Sequence, residues 1–417
     1  MQYSDVVQSH VLVTPMFKCR SSFVLVLLAT IHVPVFAQEP EQVYRDAANV
    51  FRAHTQGDFL HDDTKDGIAA LARMWTASAQ AVVQAMSVKP NASVSDLNAA
   101  LCDLPSSTGD CGEKDGARNS VVAFGSHLFL ASQFSGEAGT VFVAGFREGK
   151  PALLWSINNA PPQKADAQDL LGAWKAERAG GKCREEGSGH PPGTCGPLYA
   201  DVGALPSDSE GRPRFYIDAG YAQIMGATVG HQTSVWRWDG NTATLLWIDW
   251  HDFMIDQRIG TEFADGVLAI GEKDEFRSFY GCGSCEARQM VRRLQITPTG
   301  IVDLGKTSTT PELDLIDELF WRLANNKPTA DIADPAVSRL LRPQIASARV
   351  ESKKIDPTWF SVGMLDEVSV KRSGNTERVC FTADGIGRLF FSIQSNHGKQ
   401  RLVNVTQPSG SFGDYPK

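Results

Sequence analysis

The sequence predicts a multidomain α+β protein with a helical N-terminal region, a central antiparallel β-rich domain of propeller-like or sandwich character, and a small α+β C-terminal domain. Three observations lead there. Apolar residues recur at helical spacing from Glu41 to about Leu104, the period falls to two near Ser120, and helical spacing returns after Thr310 before alternation resumes. The expected segments are 1–37 as a leader, 38–112 as a helical region, 113–308 as a β-rich domain with a disulfide loop, and 309–417 as an α+β domain.

The leader comes first. Lys18 and Arg20 precede the apolar run Phe23 to Val33, and Val35-Phe36-Ala37 follows it. Basic, apolar and small-residue segments in that order make a secretory signal peptide. The run holds about 11 residues, whereas a membrane span needs about 20. Cleavage after Ala37 is expected, and Met16 is an alternative start that gives a leader of ordinary length. Cys19 lies before the apolar run, so no lipid anchor is expected. The mature chain should be secreted or periplasmic, with no membrane span after cleavage. Removing the leader takes away Lys18, Arg20 and Asp5 and leaves 38 basic against 47 acidic residues. Nucleic acid rewards clustered Lys and Arg, so it is not an expected partner.

The helical region reads as three helices. EQVYRDAANVFRAH places Val43, Ala47, Val50 and Phe51 on one face, and DGIAALARMWTASAQAVVQAM does the same for Ile68, Leu71, Met74, Trp75, Val82 and Met86. Ser95 before DLNAAL is the expected N-cap of the third.

In the β-rich domain, SVVAFGSHLFLAS, TVFVAGFREGKPALLWSI and SVWRWDGNTATLLWIDW read as strands, with Asp239-Gly240 expected to supply the left-handed conformations of a tight hairpin. Thr140 to Trp155 and Ser234 to Trp247 echo each other: each opens on Thr/Ser-Val-aromatic and closes on Leu-Leu-Trp. RRLQITPTGIVDL, Arg292 to Leu304, is a weaker third copy. Repeated hairpins suggest stacked antiparallel units such as propeller blades, although closed propellers have at least four. Gln168 to Lys182 reads as a helical insertion. After Thr310, Pro311 opens ELDLIDELFWRLANN, DPAVSRLLRPQ follows, and WFSVGMLDEVSV, ERVCFTA, GRLFFSIQS and QRLVNVTQ alternate as an antiparallel sheet.

Seven cysteines follow the leader, six of them in close pairs: Cys102 with Cys111, Cys183 with Cys195, and Cys282 with Cys285. In an oxidising compartment these are expected disulfides, paired by proximity among 15 connectivities. Cys380, within RVCFTA, is an expected buried free thiol. Cys-Gly-Ser-Cys invites a redox reading, but the later helix, strand and cis-proline spacing of thioredoxins, which it resembles in those four residues alone, is missing. Zinc would want a second ligand pair.

The densest polar stretch is WIDWHDFMID. Asp249, His251, Asp252 and Asp256 offer ligands for a divalent metal, with Asp249 and His251 on one face of a strand and Asp252 on the other. His231 is the nearest extra ligand in sequence. The competing reading is a strand end with solvated polar residues. SDSEGRP, Ser207 to Pro213, resembles a calcium loop only in Asp208, Glu210 and Gly211, and a plain turn is the stronger reading. Ser126 and His127 are adjacent, so a strand would point them to opposite faces. Trp236 and Trp238 share a face, either as packing or as a binding surface.

No nucleophile elbow, phosphate loop or dinucleotide motif occurs, and no cofactor is expected. The expected function is non-catalytic binding of a protein or glycan, or scaffolding. The alternatives are a metal-dependent hydrolase at Asp249 and His251, and a thiol-disulfide oxidoreductase at Cys282 and Cys285.

Overall fold

The computed structural model describes residues 39–55, 65–104, 120–135, 138–157, 199–222, 228–254, 260–274, 276–279, 288–355, 360–363, 365–383, 386–396 and 398–407. Within them the chain mixes α-helices with antiparallel sheets. Three helices, α1 (Pro40–Thr55), α2 (Lys65–Val88) and α3 (Val94–Cys102), precede all the strands. The cap of α3 is Ser93, not Ser95. Ser93 has extended backbone and its hydroxyl accepts from Asp96 N–H, while the Asp96 carboxylate accepts from Ser93 N–H at 2.7 Å. Ser95 lies inside the helix, where its backbone cannot take the extended conformation a cap needs.

Three four-stranded meanders follow. The first is β1 (Ser120–Gly125), β2 (Leu128–Ser135), β3 (Ala138–Arg147) and β4 (Lys150–Ser156). The second is β5 (Tyr199–Leu205), β6 (Arg214–Ala222), β7 (Thr228–Trp238) and β8 (Ala243–Met254). The third is β9 (Glu262–Ala264), β10 (Val267–Asp274), β11 (Arg288–Thr297) and β12 (Gly300–Ser308). In each, neighbours in sequence are neighbours in the sheet.

The sequence echo falls on equivalent hairpins: β3–β4, β7–β8 and β11–β12. Its Leu-Leu-Trp close marks a β-bulge. Val143 opposes Trp155 and Ala144 opposes Leu153, so Leu154 is extra; Val235 opposes Trp247 and Trp236 opposes Leu245, so Leu246 is extra. The third meander carries the same surplus residue on its fourth strand, between Asp303 and Lys306. A bulge at this point bends the outer strand and sharpens its twist.

Alternation along the strands explains how the meanders stack. On β3, Phe142 and Ala144 pack with Tyr44, Met74, Val82, Leu97 and Leu101 of the helices. Val141 and Val143 point the other way and join Leu130 and Trp155 against Phe215, Ile217, Trp236 and Trp238 of the second meander. Tyr216 and Val235, one step out of phase with Phe215 and Trp236, pack on Leu268, Ile270, Leu294 and Ile296 of the third. The first two sheets thus bury both faces, and the order is helices, sheet, sheet, sheet.

Two local expectations change. Ser126 and His127 form the turn between β1 and β2, with His127 at positive φ, because the apolar run is a hairpin and not one strand. In the β7–β8 turn Gly240 has positive φ and Asp239 does not; Asp239 N–H bonds to Thr242 O in a four-residue loop. Trp236 and Trp238 are core, each 3% exposed.

The chain ends in α4 (Pro311–Ala324), α5 (Pro335–Ile355) and a fourth meander, β13 (Leu365–Ser373), β14 (Thr376–Ala383), β15 (Gly387–Asn396) and β16 (Lys399–Thr406). Helix α5 runs on past Pro343, further than the sequence period suggested. Leu313, Ile316, Phe320, Val337 and Leu341 pack with Val379, Leu389, Phe391 and Leu402, and Phe276 and Phe279 join them from just after β10. Asp317 of α4 fixes that segment by accepting from Arg277 N–H at 3.2 Å and Ser278 N–H at 2.8 Å. No described helix is long and apolar enough to cross a membrane.

Two outcomes are expected. A Cβ at Gly203 would clash with the edge and hydroxyl of the Tyr216 ring, so Gly203→Ala should lower stability by about 1–3 kcal/mol in denaturant unfolding, the usual scale of overpacking. Asp239 accepts from Arg237 Nε at 2.8 Å and from the Thr244 hydroxyl, and the Arg237 bond, with those further donors outweighing burial, holds its carboxyl below the ordinary value of 3.8. A lowered carboxyl contributes stability above its unfolded value and loses it as pH falls through the folded one. Asp239→Asn should therefore destabilise at neutral pH, and the difference from wild type should shrink as pH is lowered below 3.8.

Candidate functional site between the second and third sheets

The face of the second sheet that meets the third is built in rows. Strand register aligns Gly203, Tyr216, Val235 and Trp247 in one row, Asp201, Asp218, Thr233 and Asp249 in the next, and Tyr199, Gly220, His231 and His251 in the one after. The first row is apolar and packs on the third sheet. The second is acidic, so the contact between sheets turns from dry to charged within one step of the pleat.

Arg292 of β11 answers that charge. Its Nη2 lies 2.7 Å from Asp249 Oδ2, its Nε donates to Glu272 Oε1 at 2.8 Å, and its Nη1 donates to Asp303 Oδ2 at 2.6 Å. Lys306 adds a second cation at Glu272, whose side chain is wholly buried. The guanidinium also lies 5.9 Å from the Trp247 ring centre. Burial alone would lower the pKa of Arg292, but the Glu272 bond and the charges of Glu272, Asp249 and Asp303 outweigh it and raise it. Asp218 is held separately: Thr233 Oγ1 donates to one oxygen at 3.0 Å and Thr261 Oγ1 to the other at 2.7 Å.

In the row on the far side of the apolar one, aligned with Leu205 and Arg237, stands Arg214, 1% exposed. It donates to the carbonyls of Pro206 at 2.6 Å, Thr297 at 2.8 Å and Ser207 at 3.2 Å. Burial lowers its pKa, and the charge of Asp208 works against that. Asp208 itself closes a turn by accepting from Glu210 N–H, Arg212 N–H and Arg212 Nε. The stretch read as a faint calcium loop is thus a turn around a carboxylate already occupied by protein donors.

Of the candidate ligands, Asp249 sits on β8 in the Arg292 network, and His251 is two residues further along the same strand, directly opposite His231. Asp252 opposes Gly230. The side chains of His231, His251 and Asp252 lie outside the described residues, as does all of Asp256. Among the described residues no three His, Cys, Asp or Glu side chains gather at one point. Cys102 is the last residue of α3, and Cys380 is free and half-buried on β14. Cys111, Cys183, Cys195, Cys282 and Cys285 lie outside the described residues.

Sequence reasoning missed Arg292, Glu272, Asp218 and Thr261. Glu272 in VLAIGEKD and Asp218 in RFYIDAGYA did carry a signal, a carboxylate inside an otherwise apolar strand. Such a group must find a partner or lose its charge.

No protein-family model and no curated protein matches the chain. Among solved structures, a periplasmic gluconolactonase of Pseudomonas aeruginosa is similar over 67% of this chain and 66% of its own, at 9% identity and a TM-score of 0.13.

Removing Arg292 leaves Glu272 buried with Lys306 as its remaining cation and strips Asp249 of its guanidinium. Arg292→Met should cost about 3–5 kcal/mol, the scale of a broken buried ion pair, read as a lowered urea midpoint. An unchanged midpoint would show that the network contributes nothing.

Proposed function

We propose that this is an exported, non-catalytic protein that binds a protein or glycan partner, or scaffolds one, in the periplasm or outside the cell. The observation that supports this reading most is the closure of the described charges between the second and third sheets. Arg292 is spent on three carboxylates, Arg214 on three carbonyls, and Asp218 on two hydroxyls. Groups so engaged hold sheets together; a general acid, base or nucleophile has to keep an atom for the substrate. The three stacked meanders support a propeller-like architecture, in which repeated blades give a broad, rigid rim for recognition.

Export accounts for the cysteines in the same scheme: the leader is removed after Ala37, and Cys102–Cys111, Cys183–Cys195 and Cys282–Cys285 are bridges, each contributing about 2–4 kcal/mol.

The test has two parts. Mass spectrometry of the protein recovered from the exporting cell should give an N-terminus at Gln38 and, after denaturation without reductant, one alkylatable thiol. The purified protein should then be incubated with glycan arrays and with surface proteins, and any retained ligand recovered and weighed. Ligand returned with unchanged mass supports binding. Ligand chemically altered in molar excess over protein, or an intact leader with all thiols reactive, overturns the reading.

A further inference from the structure

The ladder between β7 and β8 sets His231 directly opposite His251. Two residues away along the same strands, Thr233 is opposite Asp249, and β6 places Asp218 opposite Thr233. Positions two apart on a strand share a face, and so do positions paired across a ladder. The bulge in this ladder lies beyond Val235 and Trp247, so pairing runs unbroken from there to Thr228 and Met254. Positions 218, 231, 249 and 251 therefore occupy one face, the same one as Tyr216 and Val235.

Opposed positions in an antiparallel pair hold their Cβ atoms about 4.5–5.5 Å apart. Imidazole nitrogens bind zinc at about 2.0–2.1 Å, so two histidines at that separation can close on a single ion. We infer that His231 and His251 form a two-imidazole site for a borderline divalent cation of the zinc, nickel or copper class, with water completing the coordination. Nitrogen donors favour these ions over calcium and magnesium, which prefer oxygen. The carboxylates of Asp218 and Asp249 lie in the adjoining row and already have protein donors in Thr233, Thr261 and Arg292. Their charge lowers the energy of a cation beside them, while the histidines supply the bonds. The site is independent of the proposed binding function, since an ion held by two side chains and water can serve structure alone.

The test uses the whole mature chain, free of any affinity tag, with its thiols left oxidised. Titration calorimetry with Ni²⁺ and with Zn²⁺ at about pH 7.5 should show one saturable event. His231→Ala or His251→Ala should weaken it at least tenfold, and His127→Ala should leave it unchanged. At about pH 5.5 the wild-type affinity should fall at least tenfold, because protons compete for imidazole. The Cu²⁺-loaded wild type should show paramagnetic resonance coupling to two nitrogens, a readout that needs no variant to fold. Absence of binding in the wild type, equal affinity in wild type and either variant of the pair, or coupling to fewer than two nitrogens would overturn the site.

Discussion

The first two meanders have no face to spare for water, and the order of the stack follows from that. A strand whose successive side chains are both apolar needs a partner on each side. Phe142 and Val143, like Phe215 and Tyr216, are adjacent, apolar and buried, and they point to opposite neighbours. This forces the serial order of helices and three sheets. It also makes the helical region part of the stack's core: without α1–α3, Val121, Ala131, Phe142 and Ala144 would face solvent.

The third sheet closes the series differently. Its inner face carries Leu268, Ile270, Leu294 and Ile296, whereas Val302 and Leu304 of its last strand are about half exposed, at 47% and 53%. With fewer buried apolar residues than the contact between the first and second sheets, the contact between the second and third is framed by ions. Arg214 holds one end and Arg292 the other, and both join residues far apart in sequence. Buried charge of this kind adds little net stability when satisfied, but it penalises every arrangement that leaves it unpaired. Its role here is to fix how the second and third sheets meet.

Much of the fold was legible in the sequence, for a physical reason: helical and alternating periods are local. So were the hairpin echoes, because equivalent strands in stacked units meet equivalent surroundings. The meaning of Leu-Leu-Trp was not legible, since a bulge is defined by what the partner strand lacks. The register that sets His231 against His251 was likewise hidden. It depends on the length of the β7–β8 pairing and the bulge within it, neither of which the spacing of the histidines reveals. Arg292 was invisible as a site residue, because Asp249, Glu272 and Asp303 lie on three other strands in two sheets.

The helices and three sheets form one cooperative stack. Native-state hydrogen exchange tests it most directly, by comparing backbone amides of Leu130, Ile217 and Leu294, one from each sheet. All three should exchange through a shared opening with the same free energy and the same denaturant dependence. Exchange of Leu294 through a separate, lower-energy opening, with Leu130 and Ile217 still protected, would contradict it.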